Sequence, residues 1–134
     1  KVWVGAGNRA HNTAVGNEAL ANATAGDNTA VGRAAMNSNT TGYSNVAVGV
    51  YALDANTTGN TNVALGMHAL GANTTASNNT AVGYEALTAN TTGANNTAVG
   101  KGAMYTNTTG ATKEEFDPTK TLSFIVVLLF FIPS

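Results

Sequence analysis

The sequence predicts an all-β chain folded as a parallel β-solenoid of six to seven rungs, each 16 or 17 residues long. A five-residue motif, NTAVG or its variants NVAVG and NVALG, occurs six times and always ends in glycine. Those glycines are 16 residues apart once and 17 apart four times, which indicates one structural unit per repeat. Large apolar residues are sparse before residue 121. Each residue can therefore bury only a little apolar surface, and the chain must repeat that burial regularly along its length.

Each rung begins with a predicted strand over the three central residues of the motif. Side chains alternate between the faces of a strand, so Thr80 and Val82 share one face and Ala81 lies on the other. We expect the valine to belong to the core and the alanine to meet a closely packed neighbouring layer or chain. The first residue of the motif is expected to form a ladder, because side-chain amides bond one another along stacked strands. These asparagines are Asn12, Asn28, Asn45, Asn62, Asn79 and Asn96.

The second half of each rung supplies the rest of the predicted core. Three residues after the glycine stands an alanine, followed by leucine or methionine, in a segment too short to be a stable helix. Because so few large side chains are available per rung, we expect several copies of the chain to share a core. The predicted apolar core comprises Val15, Val31, Val48, Leu65, Val82, Val99, Leu20, Met36, Leu53, Leu70, Leu87 and Met104.

A connector of the type Asn-Thr-Thr-Gly closes most rungs and has the composition of a tight turn. The same stretches match the acceptor pattern for N-glycosylation, so a column of glycans is the alternative if the protein is eukaryotic and secreted. A bacterial or viral source favours the plain turn. Asn78 and Asn95 also match the pattern. The acceptor asparagines of the connectors are Asn22, Asn39, Asn56, Asn73, Asn90 and Asn107.

The regular pattern stops near residue 112 and predicts three regions. Residues 1–112 form the solenoid, 113–120 form a linker or cap, and 121–134 form an apolar C-terminal segment. The apolar run is shorter than the roughly 20 residues that a membrane-spanning helix requires. We expect this segment to take part in assembly, and membrane contact through it is the less favoured alternative.

The charge and the motifs of the chain exclude several classes of function. Charged residues make up 10% of the chain and the net charge is −1, which argues against nucleic-acid partners. The chain has no cysteine and no catalytic motif, and its two histidines, His11 and His68, stand at different phases of the repeat. We therefore expect no enzymatic activity, no cofactor and no metal site.

The units NTAVGYEAL and NVAVGVYAL resemble the head repeats of YadA-like trimeric autotransporter adhesins, and are similar to repeats of phage tail fibres and other fibrous surface proteins. The resemblance covers residues 2–112. It implies a left-handed parallel β-roll, three chains side by side, and a role in attachment to surfaces. The period of 17 residues is longer than in those adhesins, and no coiled-coil stalk or β-barrel anchor is visible.

The expected function is that of a structural and adhesive fibre, on a cell surface, a virion or an extracellular filament. Its main partner is expected to be itself, as a homotrimer or filament, with a host-surface glycan or protein as the target of attachment. One alternative is a carbohydrate-binding solenoid. Another is an ice-binding protein that uses its threonine columns. Sugar binding would draw on the tyrosines Tyr43, Tyr51, Tyr84 and Tyr105.

Overall fold

Seven short parallel strands, each contributed by one turn of the chain, form one sheet in sequence order in the computed structural model, which describes residues 11–116. Partner residues in neighbouring strands are 16 apart for the first pair, as in Ala14 and Ala30, and 17 apart in the others. The predicted all-β parallel solenoid is therefore confirmed, and residues 11–116 contain no helix. The strands are β1 (Thr13–Val15), β2 (Thr29–Val31), β3 (Val46–Val48), β4 (Val63–Leu65), β5 (Thr80–Val82), β6 (Thr97–Val99) and β7 (Glu114–Glu115).

Two parts of the sequence prediction lie outside the described residues. These are residues 1–10 of the predicted solenoid, and residues 117–134, which hold the rest of the predicted linker and the apolar segment. Residues 113–116, predicted as part of a linker or cap, continue the sheet, because Glu114 and Glu115 pair with Thr97 and Ala98.

The turns between strands are stacked as regularly as the strands themselves. The backbone N–H of Leu53 donates to the carbonyl of Ala69 at 3.0 Å, and Leu70 donates to Ala86 at the same distance. Each rung thus repeats the backbone hydrogen bonds of the rung before it, on both sides of the core. With strands about 4.8 Å apart, the result is a straight stack of equivalent layers.

The interior is narrow and filled mainly by alanine. Each complete rung buries the central alanine of its strand, a second alanine and one long side chain from the turn, as Ala47, Ala52 and Leu53 do in the third rung. The predicted core positions in the turns are all buried, namely Leu20, Met36, Leu53, Leu70, Leu87 and Met104.

The aliphatic residues that end the strands lie elsewhere than predicted. Ala47 is fully buried, whereas Val46 and Val48 on either side of it point away from the interior. The side chain of Leu53 occupies the space opposite the strand, so the strand can add only a methyl group to the core. The prediction of core positions was therefore wrong for the residues Val15, Val31, Val48, Leu65, Val82 and Val99, which are half-buried or exposed.

The glycine after each strand is required by close backbone approach. Gly49 has a φ of 142°, and a Cβ atom placed on it would lie 2.5 Å from the carbonyl oxygen of Gly66 in the next rung. No other residue fits without moving the backbone. The tight packing of successive rungs at this corner explains why the motif always ends in glycine.

Candidate interaction surfaces

The predicted asparagine ladder exists, with a different bonding pattern from the one expected. The side-chain Oδ1 of each asparagine accepts the backbone N–H of the asparagine in the next rung, as from Asn45 to Asn28 at 3.0 Å and from Asn62 to Asn45 at 2.9 Å. The Nδ2 of Asn45 donates to the carbonyl of Gly59. This column therefore joins mainly side chain to backbone, and one bond of the predicted amide-to-amide kind occurs in it, from Nδ2 of Asn45 to Oδ1 of Asn28 at 3.2 Å. Its members are Asn12, Asn28, Asn45, Asn62, Asn79 and Asn96.

A second asparagine ladder runs through the connectors. Asn56 donates its Nδ2 to Oδ1 of Asn39 at 2.8 Å and to the carbonyl of Gly59 at 3.0 Å. The same pair of bonds recurs at Asn73 and Asn90. This is the amide-to-amide pattern expected of stacked asparagines. The repetition of asparagine at two phases with one spacing is the sequence signal that could have identified both ladders.

The second ladder corrects the glycan prediction. Asn39, Asn56, Asn73 and Asn90 have no exposed surface. A carbohydrate on Nδ2 would remove the ladder bonds and could not fit inside the solenoid, so these four residues carry no glycan in the folded chain. Among the remaining predicted acceptors, Asn107 is half-buried in the same ladder and Asn22 is exposed.

In the first rung, Asn22 lies one residue before the phase of the repeat that forms the second ladder. The first rung is one residue shorter than the others, and Ala23 occupies the phase that Asn39 holds in the second rung. The bonds show this alignment, because Ala23 donates to Leu20 as Asn39 donates to Met36. The side chain of Asn22 bonds Asn37 across the outside of the rod.

Both ladders end at one residue. The backbone N–H of Lys113 donates to Oδ1 of Asn96 at 3.0 Å, and its Nζ donates to Oδ1 of Asn107 at 3.3 Å. A cleft of about 470 Å³ opens beside Lys113, between Met104 and Glu115. It lies at the end of the last complete rung, where a further rung would stack.

The first and third residues of strands β1 to β6 form a regular surface that we call the outer face. The third residue is aliphatic in all six strands, and in-register pairing places these side chains in one line. Val48 is 40% exposed, which is high for a strand residue with neighbours on both sides. The outer face is thus an unbroken aliphatic line along the described rod, beside a line of threonine and valine.

A second surface is the corner that follows each glycine, where residue types vary from rung to rung. We call it the variable corner, defined by residues 17–18, 33–34, 50–51, 67–68, 84–85 and 101–102. The guanidinium of Arg33 lies 4.8 Å from the ring centroid of Tyr51, and the Tyr51 and His68 rings stack at 5.2 Å with an 11° angle between planes. Nζ of Lys101 is 5.8 Å from the centroid of Tyr84. The rings therefore stack along the rod axis.

The ionisable groups near the corner are spread out. Burial raises the pKa of the Asp54 carboxyl, and the hydrogen bond with Glu85 raises the pKa of the Tyr84 hydroxyl. His11 and Asp27 lie 3.3 Å apart at the other end of the described rod, both well exposed. Within residues 11–116, no three acidic or histidine side chains are grouped so that they could hold a metal ion.

The connector edge of the rod is lined with threonine. The hydroxyl of Thr57 donates to the carbonyl of Thr74 at 3.0 Å, and Thr40 and Thr91 bond the next rung in the same way. The threonines one position later, such as Thr58 and Thr75, are exposed. One of the two threonine columns therefore donates its hydroxyls to the next rung, and the threonines of the other column are exposed.

Comparison of the chain with family models, curated proteins and solved structures gives no match. In the described range 11–116 there is no helix with the length and apolar character needed to cross a bilayer. The function is therefore inferred from the surfaces of the solenoid.

Proposed function

We propose that this chain is a structural and adhesive fibre protein, in which several copies pack through the outer face to form a stiff rod that attaches to a surface. The observation that carries the proposal is the unbroken aliphatic line on β1 to β6. Following the resemblance to adhesin head repeats, the proposed assembly is a trimer of left-handed solenoids outside the cell, on a cell surface, a virion or a filament.

The aliphatic line favours association with other copies. Soluble monomers rarely expose contiguous apolar patches beyond a few hundred square ångströms, and larger patches mark interaction sites. Here the line continues through every rung and adjoins the apolar residues Met67 and Tyr84 of the variable corner, which are 41% and 40% exposed. A second copy offers an equally long and equally spaced surface. The line supplies one aliphatic residue per rung, and because these side chains are already partly buried, each contributes less than the roughly 1.5–3 kcal/mol gained by burying a fully exposed valine.

Stiffness follows from the stacking. From the second rung onwards, each rung is bonded to the next through the strand, the turn and two asparagine columns, as Asn45 and Asn56 show in the third rung. A rod held in this way can present the variable corner at fixed positions. The mixed aromatic, charged and apolar residues of that corner are the proposed contact surface for a host glycan or protein.

The geometry supports carbohydrate binding less well. Sugar-binding aromatic residues present an open ring face to the ligand, but Arg33 and His68 lie over the faces of Tyr51. Lys101 lies over a face of Tyr84. The stacking partners thus occupy ring faces of Tyr51 and Tyr84 that a sugar would need, while Tyr43 and Tyr105 are about half exposed.

Ice binding is also less well supported. An ice-binding face needs regular hydroxyl and methyl groups on a flat surface. The threonine columns lie in the connectors, where the hydroxyls of one column bond the next rung, as Thr57 bonds the carbonyl of Thr74. Each threonine pair also stands in a turn, as Thr57 and Thr58 do before Gly59, which is unfavourable for a flat surface. The absence of thermal hysteresis in a solution of the full chain would exclude this alternative.

The test is the mass of the full chain in solution, measured by light scattering after size-exclusion chromatography. We expect a stable oligomer for the wild type. Val48→Lys places a charge in the middle of the outer face and should yield monomers with an unchanged circular dichroism spectrum. Thr58→Lys, an exposed position on the connector edge of the same rung, serves as the matched control and should leave the oligomer intact.

Two results would contradict the proposal. One is a wild-type chain that remains monomeric at the highest concentration measured. The other is a Val48→Lys chain with the same mass as the wild-type oligomer.

A further inference from the structure

A surface made of identical rungs does not by itself define how two copies align. If every rung offers the same side chains, sliding one rod by a rung replaces each contact by an equivalent one and loses only the contact at the end. A fibre whose copies slide in this way has no defined length or ends. The outer face therefore needs a feature that differs between rungs.

Such a feature lies in the middle of the outer face. The first residue of the strand is threonine in β1, β2, β5 and β6, and valine in β3 and β4. In-register pairing places Val46 beside Val63, with Thr29 and Thr80 as their outer neighbours. The two middle rungs are thus apolar at both outward positions, with Val48 and Leu65 completing the patch. The outer rungs carry one hydroxyl each.

We propose that Val46 and Val63 fix the register in which copies of this chain associate through the outer face. This inference rests on the proposed self-association, and the occupant of the face is a second copy of the chain. In the matched register, the valines of one copy meet those of its neighbour and the threonines meet threonines. The copies are taken to lie parallel, as in the proposed trimer, so that each valine meets the same valine of its neighbour.

Sliding by one rung breaks this match on both copies. Val46 then faces the level of a threonine, and the hydroxyl of that threonine is buried against a methyl group. A buried hydroxyl without a partner is destabilising, whereas threonines facing each other can exchange a hydrogen bond. A slide by one rung creates two such valine–threonine contacts, one with a valine of each copy.

The test uses a variant of identical composition in which the two valines are moved to other strands. The substitutions Val46→Thr, Val63→Thr, Thr80→Val and Thr97→Val transfer the two valines from β3 and β4 to β5 and β6. Threonine and valine both occur at this position in the native rungs, so the fold should be retained, as circular dichroism can verify. Wild-type and moved-pair full chains carry different affinity tags, are unfolded together, refolded and purified through both tags.

The expected result is self-sorting. Each chain forms oligomers with itself, and mixed oligomers are at least about tenfold rarer than random mixing gives, which corresponds to 1.4 kcal/mol. Wild-type chains with two different tags, treated in the same way, should mix at random. The inference is overturned if wild-type and moved-pair chains mix at random, or if the moved-pair chain folds but does not associate with itself. If neither chain associates, the proposed function fails as well, and the light-scattering masses separate that outcome from the others.

Discussion

At the scale of single residues, Leu53 shows how backbone conformation selects a side chain. Its φ is 53°, in the left-handed region that non-glycine residues rarely adopt, and every leucine or methionine at this phase has a φ between 50° and 53°. Left-handed backbone costs roughly 1–2 kcal/mol for a residue with a Cβ atom, and a β-branched residue fits it worst. Burial of a long, unbranched or γ-branched side chain offsets that cost. This explains why isoleucine and valine never occupy the position.

The substitution Leu53→Ile tests this account. It keeps the volume of the side chain but adds a branch at Cβ, so we expect a loss of about 2 kcal/mol or more in the free energy of unfolding. Leu53→Met should cost less than about 1.5 kcal/mol, because methionine occupies the same phase at Met36 and Met104. Urea denaturation at a fixed chain concentration measures both. Equal losses for the two variants would contradict the explanation.

A buried asparagine is the second residue-scale feature. Asn56 is fully buried and donates to Asn39 and Gly59, while Asn73 donates to it in turn. Side-chain amides that hydrogen-bond one another along a ladder can be buried in a core that has few apolar side chains. Removing the Asn56 amide takes one bond from Oδ1 of Asn39 and one from Nδ2 of Asn73, which keeps its bond to the carbonyl of Ala76.

We therefore expect Asn56→Ala to destabilise the fold by about 2–3 kcal/mol, since each buried polar group left unpaired costs about 1–3 kcal/mol. The control is Thr58→Ala on the exposed side of the same connector, which should change stability by less than about 0.5 kcal/mol. Thermal and urea denaturation give the two values. A loss at Asn56 no larger than that at Thr58 would show that the ladder does not hold the rungs together.

The residues also show what the sequence could predict. Periodicity identified Leu53 correctly as interior, because every rung carries a leucine or methionine at that phase. Alternation in the strand separated Val48 from Ala47 but could not say which face is inside. Which face lies inside depends on the width of the interior, and that width is set by the side chain of the opposite turn, here Leu53. Asn56 was interpreted as a turn residue or glycan acceptor, since its local sequence fits both and the ladder appears only when rungs are stacked.

At the scale of the element, the unit of this fold is the rung rather than the strand. A three-residue strand such as β3 is too short to be stable alone, but each rung bonds its neighbours around the whole turn. Repeats of this kind behave as a one-dimensional array, in which stability is close to a sum of rungs and of contacts between them. The spacing of the glycines predicted this unit, including the short first rung. It did not predict that Lys113 would end both ladders, because a lone lysine carries no periodic signal.

Deleting residues 46–62 removes one complete period and joins Asn45 to Val63 in phase. We expect the shortened chain to fold with one rung fewer, and its denaturant m-value to fall by about a sixth, in proportion to the surface buried. Deleting residues 46–54 instead joins segments that are out of phase and should prevent cooperative folding. Circular dichroism and urea titration distinguish the two. A folded out-of-phase chain would contradict the rung as the structural unit.

At the scale of the whole molecule, the outer face and the variable corner have different roles. The outer face is regular and aliphatic, which suits contact with identical copies, while the corner carries Arg33, Tyr84 and other residues that change from rung to rung. A fibre needs both surfaces, one for assembly and one for recognition. The central claim is that the outer face is covered by other copies of the chain.

Thiol accessibility tests that claim most directly, because the chain has no cysteine and a single one can be introduced without background. In the full chain at assembling concentrations, maleimide should modify Val48→Cys at least about tenfold more slowly than Thr58→Cys in the same rung. Dilution that dissociates the oligomer should bring the two rates together. Equal rates at high concentration, with both variants folded, would mean that the outer face is open to water and that the proposed assembly does not exist.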